Sequence, residues 1–258
     1  MKMLLARTPD PARPAGSTLL IYHRVGAGTR DELDVTTADF DAQLDILSAQ
    51  QVVPLGEAVD ALEGEDRKPR VVLTFDDGFG DVYDNAWPRL RERGIPFTVY
   101  LATSYIGGTM SWPGSTAKDT GAPALTWRQL EEMVGSGLCT LGNHTHTHAR
   151  PELLTETELD NGTAAMRDRL GITPEHFAFP WGRRVPSMET ALRARFRSAA
   201  TGEVGRNAPG TDPMRLRRVP VRGSDPIEFF RAKLGGGLVA ERLYGITVTA
   251  AKRVGLRA

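Results

Sequence analysis

The chain has 258 residues, enough for one large domain or two small ones. Its 32 basic and 32 acidic residues cancel, so no global electrostatic attraction favours nucleic-acid binding. Hydrophobic residues make up 40% of the chain and charged residues 25%, as in ordinary soluble globular proteins. The single cysteine, Cys139, excludes an internal disulfide and a multi-cysteine metal site.

The N-terminal residues carry no pattern of a folded element. Residues 1–16 contain a three-residue apolar patch and three prolines, and this patch is too short for the core of a signal peptide. No apolar run reaches the roughly 18 residues of a membrane-spanning helix. We therefore expect a flexible arm over residues 1–16 and a cytoplasmic chain.

Short apolar runs rich in β-forming residues alternate along the chain with stretches of helical periodicity. The runs lie at residues 18–22, 71–75, 96–102, 138–142, 176–180, 197–201 and 216–221. The helical stretches lie at residues 38–49, 81–94, 126–137 and 155–171. This alternation indicates a parallel sheet covered on both faces, and about seven units favour a barrel. Active sites of such folds collect at the C-terminal ends of the strands.

Three of the five histidines lie in GNHTHTH, directly after the fourth apolar run: His144, His146 and His148. Imidazoles in alternation offer a site for a divalent metal. A strand would place all three on one face, whereas a helical turn would pair His144 with His148. A histidine-rich surface loop is the alternative, disfavoured because so few histidines lie elsewhere.

Two neighbouring acids, Asp76 and Asp77, follow the second apolar run in TFDDG. A catalytic zinc takes three protein ligands, so one of these carboxylates would complete a set with two histidines. The other carboxylate would then be free to take a proton from water. For the pair alone, an ordinary Asp-Gly turn is an equally good interpretation.

Two further candidates end other apolar runs. His23, in IYHRV, is a lone histidine of the kind that is more often structural, but at this rim it could protonate a leaving group. Trp181, in FPWG, could present a backbone N–H to an oxyanion or could be a packed turn. His176 begins its run and is interpreted as structural.

Five motifs in order resemble those of the polysaccharide deacetylases, carbohydrate esterase family 4 (the NodB-homology domain), over about residues 18–223. They are IYHRV, TFDDGFGDVYDNAWPRL, LTWRQLEEMVGSG, GNHTHTH and FAFPWGR. The resemblance implies an α/β fold, a distorted (β/α)7 barrel similar to a TIM barrel, with its domain at residues 17–237. It also implies a metal-dependent hydrolase that removes the N-acetyl group from an N-acetylated carbohydrate and releases acetate.

The resemblance also implies roles for the acids and histidines. Asp76, the first acid of TFDDG, matches the family's general base, and Asp77 matches a metal ligand. His144 and His148 fit the family's H-[ST]-x-x-H pattern as the other two ligands, and His146 falls at an unspecified position. Zinc is the expected metal, although such a site also accepts cobalt, nickel or manganese.

The remaining roles depend on where this chain departs from the common pattern. The usual C-terminal acid histidine is absent, and His23 matches the N-terminal histidine of the circularly permuted branch that includes the poly-N-acetylglucosamine deacetylases. Trp181 stands where the family presents an N–H to the oxyanion. The family's arginine before the motif proline is Ala178 here, and Arg218 or Arg183 is expected to replace it as the partner of the base.

The C-terminal residues 238–258 form a basic segment with helical periodicity. We expect a closing helix packed on the barrel, or a weak peripheral contact with anionic lipid at the inner face of the membrane.

Two other functions stay open from the sequence. The first is an amidohydrolase of the same superfamily acting on a small cyclic amide or ureide. The second is a non-catalytic barrel that binds sugar.

Overall fold

A computed structural model describes Lys2, residues 16–235, Leu238 and Glu241. In this part of the chain, seven parallel strands form a closed barrel in chain order, and two short strands form a separate parallel pair. The barrel strands are β1 Ser17–Tyr22, β4 Arg70–Phe75, β5 Phe97–Leu101, β6 Cys139–Asn143, β7 His176–Ala178, β8 Ser198–Val204 and β9 Leu216–Pro220, and the pair is β2 Arg24–Val25 with β3 Asp34–Val35. Pairing of β1 with β9 closes the barrel, with Leu19 opposite Arg218. The predicted (β/α)7 barrel is confirmed.

Seven α-helices lie within the described residues. They are α1 Thr37–Leu47, α2 Leu55–Asp60, α3 Trp87–Glu92, α4 Trp127–Gly135, α5 Glu156–Leu170, α6 Glu189–Arg193 and α7 Ile227–Gly235. A capping box starts α4, because the side chains of Thr126 and Gln129 each accept a hydrogen bond from the backbone N–H of the other residue. One turn of π-helix, Val82–Ala86, precedes α3, so the expected helix over residues 81–94 is irregular in its first half.

Short 3₁₀ turns complete the connections. They are Thr103–Tyr105, Pro151–Leu153, Pro180–Gly182, Pro186–Met188 and Pro213–Arg215. The fifth apolar run is strand only to Ala178, because Pro180 has no N–H to continue the ladder and the chain turns there. This early turn brings Trp181 to the rim of the barrel.

The barrel separates two apolar layers. Side chains on the outer face pack beneath the helices, where the rings of Tyr22 and Phe75 stack at 5.4 Å between centroids. Smaller inward side chains such as Leu19 and Val72 cluster with Leu55 of α2. Since these residues fill the lower part of the barrel, the polar groups at the opposite ends of the strands face an open cavity.

Some sequence-based expectations concern residues outside the described part. The arm predicted for residues 1–16 lies there apart from Lys2 and Gly16, and so does the extension 238–258 apart from Leu238 and Glu241. Among the described residues, no helix has the length and hydropathy to cross a membrane. Cys139 is buried, and burial raises the pKa of its thiol.

Candidate active site

A cavity of about 380 Å³ opens at the C-terminal ends of the barrel strands. It is lined by Ile21, His23, Leu33, Asp76, Asp77, Phe79, Trp112, Gly114, Ser115, Thr116, His144, His148, Trp181, Gly182, Gly202 and Arg218. The seven residues singled out from the sequence as catalytic or metal-binding are all among them. Side chains far apart in sequence therefore meet at one rim.

The two acids of TFDDG point to different partners. Asp76 continues β4, and its N–H donates to the carbonyl of Tyr22 at 2.9 Å. Asp77 has φ of 76°, a left-handed conformation that costs a non-glycine residue about 1–2 kcal/mol. This turn of the backbone sends the second carboxylate towards the histidines, while the first faces β9.

Asp76 forms a buried ion pair with Arg218 of β9. Nη1 and Nη2 of Arg218 donate to the two carboxylate oxygens at 2.6 and 2.8 Å, and Arg218 Nε donates to the carbonyl of Thr201 at 3.0 Å. Burial by itself would raise the pKa of Asp76, but the charge and hydrogen bonds of Arg218, together with the nearby His144 and His23, outweigh it, so the pKa is lowered. The other candidate, Arg183, is exposed and pairs with Glu152 at 3.2 Å.

Asp77, His144 and His148 converge on one point. Asp77 Oδ1 lies 3.3 Å from Nε2 of His144 and 3.2 Å from Nε2 of His148, and the three donor atoms lie within 4.8 Å of one another. His144 Nδ1 donates to the carbonyl of Ala178 at 2.8 Å, which leaves the Nε2 lone pair facing Asp77. That second hydrogen bond is typical of histidines that bind metal. A divalent cation therefore fits this donor set.

His146 lies outside this cluster. Its Nδ1 is 2.9 Å from Oγ1 of Thr103. Thr145 and His148 have φ of 67° and 53°, so the segment is neither strand nor helix. The ring of His146 therefore contacts Thr103 and is not part of the candidate metal cluster.

His23 directly follows β1 and lines the cavity. Its Nδ1 is buried and has no hydrogen-bond partner among the described residues. The next two residues are fastened to Asp81, which accepts from Arg24 Nε at 2.9 Å and from the N–H of Val25 at 3.0 Å. Asp81 was missed from the sequence, although it stands four residues after Asp77 in the same motif.

Trp181 occupies a tight turn at the rim. Its φ of 63° is left-handed, and its ring is 40% exposed and lies edge-on to His148 at 5.1 Å. The following Gly182 touches Gly202, where an added Cβ would lie 2.7 Å from the Gly202 Cα. Glycine is therefore required for the turn that places the Trp181 backbone beside the cluster.

Trp112 is a site residue that the sequence did not indicate. It lies in the segment that joins β5 to α4, and its ring centroid is 4.4 Å from that of His148. The segment has no periodicity, and a tryptophan before Pro-Gly was its only signal. Its apolar residues form a separate cluster with Phe79.

The comparisons with known proteins agree with this geometry. A family model described as Polysaccharide deacetylase matches residues 63–196. The chain belongs to the polysaccharide deacetylase family. Members of this family are hydrolases that act on non-peptide carbon–nitrogen bonds in linear amides. The family resemblance inferred from the five motifs is confirmed.

Three relatives show how far the similarity extends. A Bacillus subtilis protein named as a polysaccharide deacetylase is 26% identical over 219 residues, 81% of this chain and 72% of that protein. The poly-β-1,6-N-acetyl-D-glucosamine N-deacetylase of Staphylococcus epidermidis is 34% identical over 115 residues, which are 43% of this chain and 37% of that protein. The structure of IcaB from Ammonifex degensii superposes with a TM-score of 0.74 at 29% identity and covers 86% of this chain and 98% of that one.

Proposed function

We propose that the chain is a metal-dependent N-deacetylase that hydrolyses the N-acetyl group of an N-acetylated sugar to acetate and a free amine. The observation that supports this proposal is that the neighbouring acids Asp76 and Asp77 have different partners. Asp76 is held as an ionised carboxylate by Arg218, whereas Asp77 converges with two imidazoles. Adjacent carboxylates with different partners suit a base and a metal ligand at one reacting centre.

Asp77, His144 and His148 would hold the metal, and zinc is our choice. Two imidazoles and one carboxylate form a common catalytic zinc set, which leaves a position for water. When bound, the ion supplies a Lewis acid that polarises the acetamide carbonyl and increases the acidity of water. Trp181 contributes its backbone N–H as a further donor to the carbonyl oxygen as negative charge develops there.

The proton transfers are assigned to two side chains of the cavity. Asp76 takes a proton from the attacking water, and Arg218 keeps this carboxylate ionised and fixed in direction. His23 gives a proton to the amide nitrogen as the carbon–nitrogen bond breaks, so the sugar leaves as a neutral amine. His23 lines the cavity, so its ring lies where a bound substrate would be.

The proposed substrate class is an oligomer of N-acetylglucosamine. The Staphylococcus epidermidis relative is named for such a polymer. The cavity of about 380 Å³ lies at the small end of the usual range for ligand pockets, about 300–1,000 Å³, and so suits one sugar ring at a time. The exposed ring of Trp181 offers an apolar surface for the face of that sugar.

Acetate release separates this proposal from the two alternatives. The zinc-loaded chain is assayed with β-1,6- and β-1,4-linked N-acetylglucosamine oligomers and with hydantoin as a cyclic ureide. We expect acetate from the sugars and no ring opening of hydantoin. Ring opening without acetate would favour the amidohydrolase, and full metal occupancy with no turnover would favour the sugar-binding barrel.

We also propose that residues 238–258 make a weak peripheral contact with anionic membranes. The basic side chains of this segment are the basis of the proposal. Flotation with phosphatidylglycerol vesicles tests it, because reversing the charge of Lys252 and Arg253 to glutamate should reduce binding. Equal binding by the variant and the parent would contradict the contact.

A further inference from the structure

We infer that Trp112 is a positioning residue for the metal site. It holds the imidazole of His148 in the orientation in which Nε2 faces Asp77, and so sets the affinity for the cation. The inference rests on the proposed role of His148 as a ligand. It assigns a function to a buried tryptophan outside the motifs by which the family was recognised.

The two candidate histidine ligands are supported in different ways. His144 donates from Nδ1 to the carbonyl of Ala178 at 2.8 Å, and this hydrogen bond fixes its ring. Nδ1 of His148 is buried and has no hydrogen-bond partner among the described residues. Metal-binding histidines usually fix their rings through this second nitrogen. Nδ1 therefore gives His148 no such support, and other contacts must help to orient its ring.

Aromatic packing provides the missing support. The ring of Trp112 lies 4.4 Å from the ring of His148 at an interplanar angle of 31°, close to a stacked arrangement. Trp181 meets the same imidazole edge-on at 5.1 Å and 61°. The nearer and more nearly parallel contact covers a face of the imidazole and opposes its rotation. His148 also has φ of 53°, a conformation that persists only where its surroundings restrain it.

Trp112 is itself held firmly. Its side chain is 4% exposed, and its ring packs against Tyr105 at 5.2 Å and Phe79 at 6.1 Å. It can therefore act as a fixed wall for His148.

The segment that carries Trp112 is tied to the acid motif by backbone hydrogen bonds. The N–H of Gly80 donates to the carbonyl of Pro123 at 2.8 Å, and the N–H of Leu125 donates to that of Gly78 at 2.9 Å. Asp77 immediately precedes Gly78, so these hydrogen bonds connect the segment that carries Trp112 to the turn that carries the carboxylate ligand. The segment thereby couples the geometry of two ligands that come from different strands.

Loss of the Trp112 side chain should change the affinity for the metal and leave the ligands the same. Without the indole, the imidazole of His148 has more orientations in the unloaded protein, and ordering it on metal binding reduces the affinity. Loss of an outer support of a metal ligand typically weakens affinity about 10- to 100-fold. We expect replacement of Trp112 by an aliphatic residue to fall near the lower end, because Trp181 still touches the ring.

Zinc affinity, measured on the full chain, tests the inference. The chain is stripped of metal and titrated with zinc against a chromophoric chelator, for the wild type and for W112F, W112L and M110A. W112F retains an aromatic face. Met110 is fully buried in the same cluster and has no ring contact with His148, so M110A is the matched control for loosening of the segment.

We expect W112L to bind zinc about tenfold more weakly than the wild type, and W112F and M110A to stay within about threefold. W112M carries the same expectation as W112L and replaces it if W112L does not fold. The visible spectrum of the cobalt-loaded protein should change in W112L and not in M110A.

Two results would overturn the inference while leaving the proposed function intact. One is an unchanged zinc affinity in W112L and W112M, and the other is an equal loss in M110A. A wild-type chain that binds no zinc would instead contradict the metal site itself, and the inference with it.

Discussion

Replacing Arg218 with methionine isolates the partner of the proposed base. The substitution keeps an apolar chain of similar length in the barrel but removes both hydrogen bonds to Asp76, at 2.6 and 2.8 Å. Arg218 and Asp76 are 1% and 4% exposed, so solvent does not compensate the carboxylate that remains. The ligands Asp77, His144 and His148 keep their own contacts.

The magnitudes follow from this burial. Removing one partner of a buried ion pair costs about 3–5 kcal/mol in the free energy of unfolding. Arg218 provides the largest of the influences that lower the pKa of Asp76, so its loss lets burial raise that pKa. A raised pKa leaves a smaller fraction of Asp76 ionised at a given pH, and the effect of a general base on the rate is typically about 10²–10⁴-fold.

Two assays measure these effects: urea unfolding and acetate release across pH, each on protein of known metal content. R218M should lose stability and rate, keep its metal, and show an acid limb of the pH–rate profile shifted to higher pH. In R183M, which removes an exposed pair with Glu152, stability should change by less than about 0.5 kcal/mol. An R218M enzyme within threefold of the wild-type rate would refute the role given to Arg218.

Three further predictions concern other parts of the barrel. H23Q should lower acetate release at least about 100-fold with unchanged metal content, and an unchanged rate would make His23 structural. D81N should weaken the hydrogen bond that holds Arg24 beside His23. The rate of acetate release should therefore fall by a larger factor than the zinc affinity. A larger fall in zinc affinity than in rate would contradict this. Burial lowers the pKa of His176 to about 4. As the pH falls, His176 is therefore protonated in the unfolded chain before it is protonated in the folded chain. This difference alone should raise the unfolding free energy by about 3 kcal/mol between pH 4 and 6.5. In urea titrations the rise should be smaller in H176N than in the wild type by this contribution, and an identical pH dependence of the two proteins would refute it.

Most of the barrel was predictable because its strands are buried on both faces. Short apolar runs that alternate with helical stretches are typical of such strands and predict a parallel sheet. The short helices α2 and α6 were missed because five or six residues are too few to show helical periodicity. The irregular start of the helix before α3 has no signal in its residue types.

The roles of the site residues were accessible from motifs, but their geometry was not. The spacing of GNHTHTH suited a strand or a helix, and the structure uses left-handed residues at Thr145 and His148 instead. The contact between Arg218 and Asp76 spans 142 residues of sequence, and no local pattern encodes it. Trp112 shows the same limit, since only packing reveals its contact with His148.

Substitution of Asp76 by asparagine separates the role of Asp76 as a base from metal binding. Acetate released from an N-acetylglucosamine oligomer is measured for the wild type and D76N, together with zinc bound per chain. We expect both proteins to bind zinc and only the wild type to release acetate at an appreciable rate. A D76N protein that binds zinc and keeps most of the wild-type rate would contradict it.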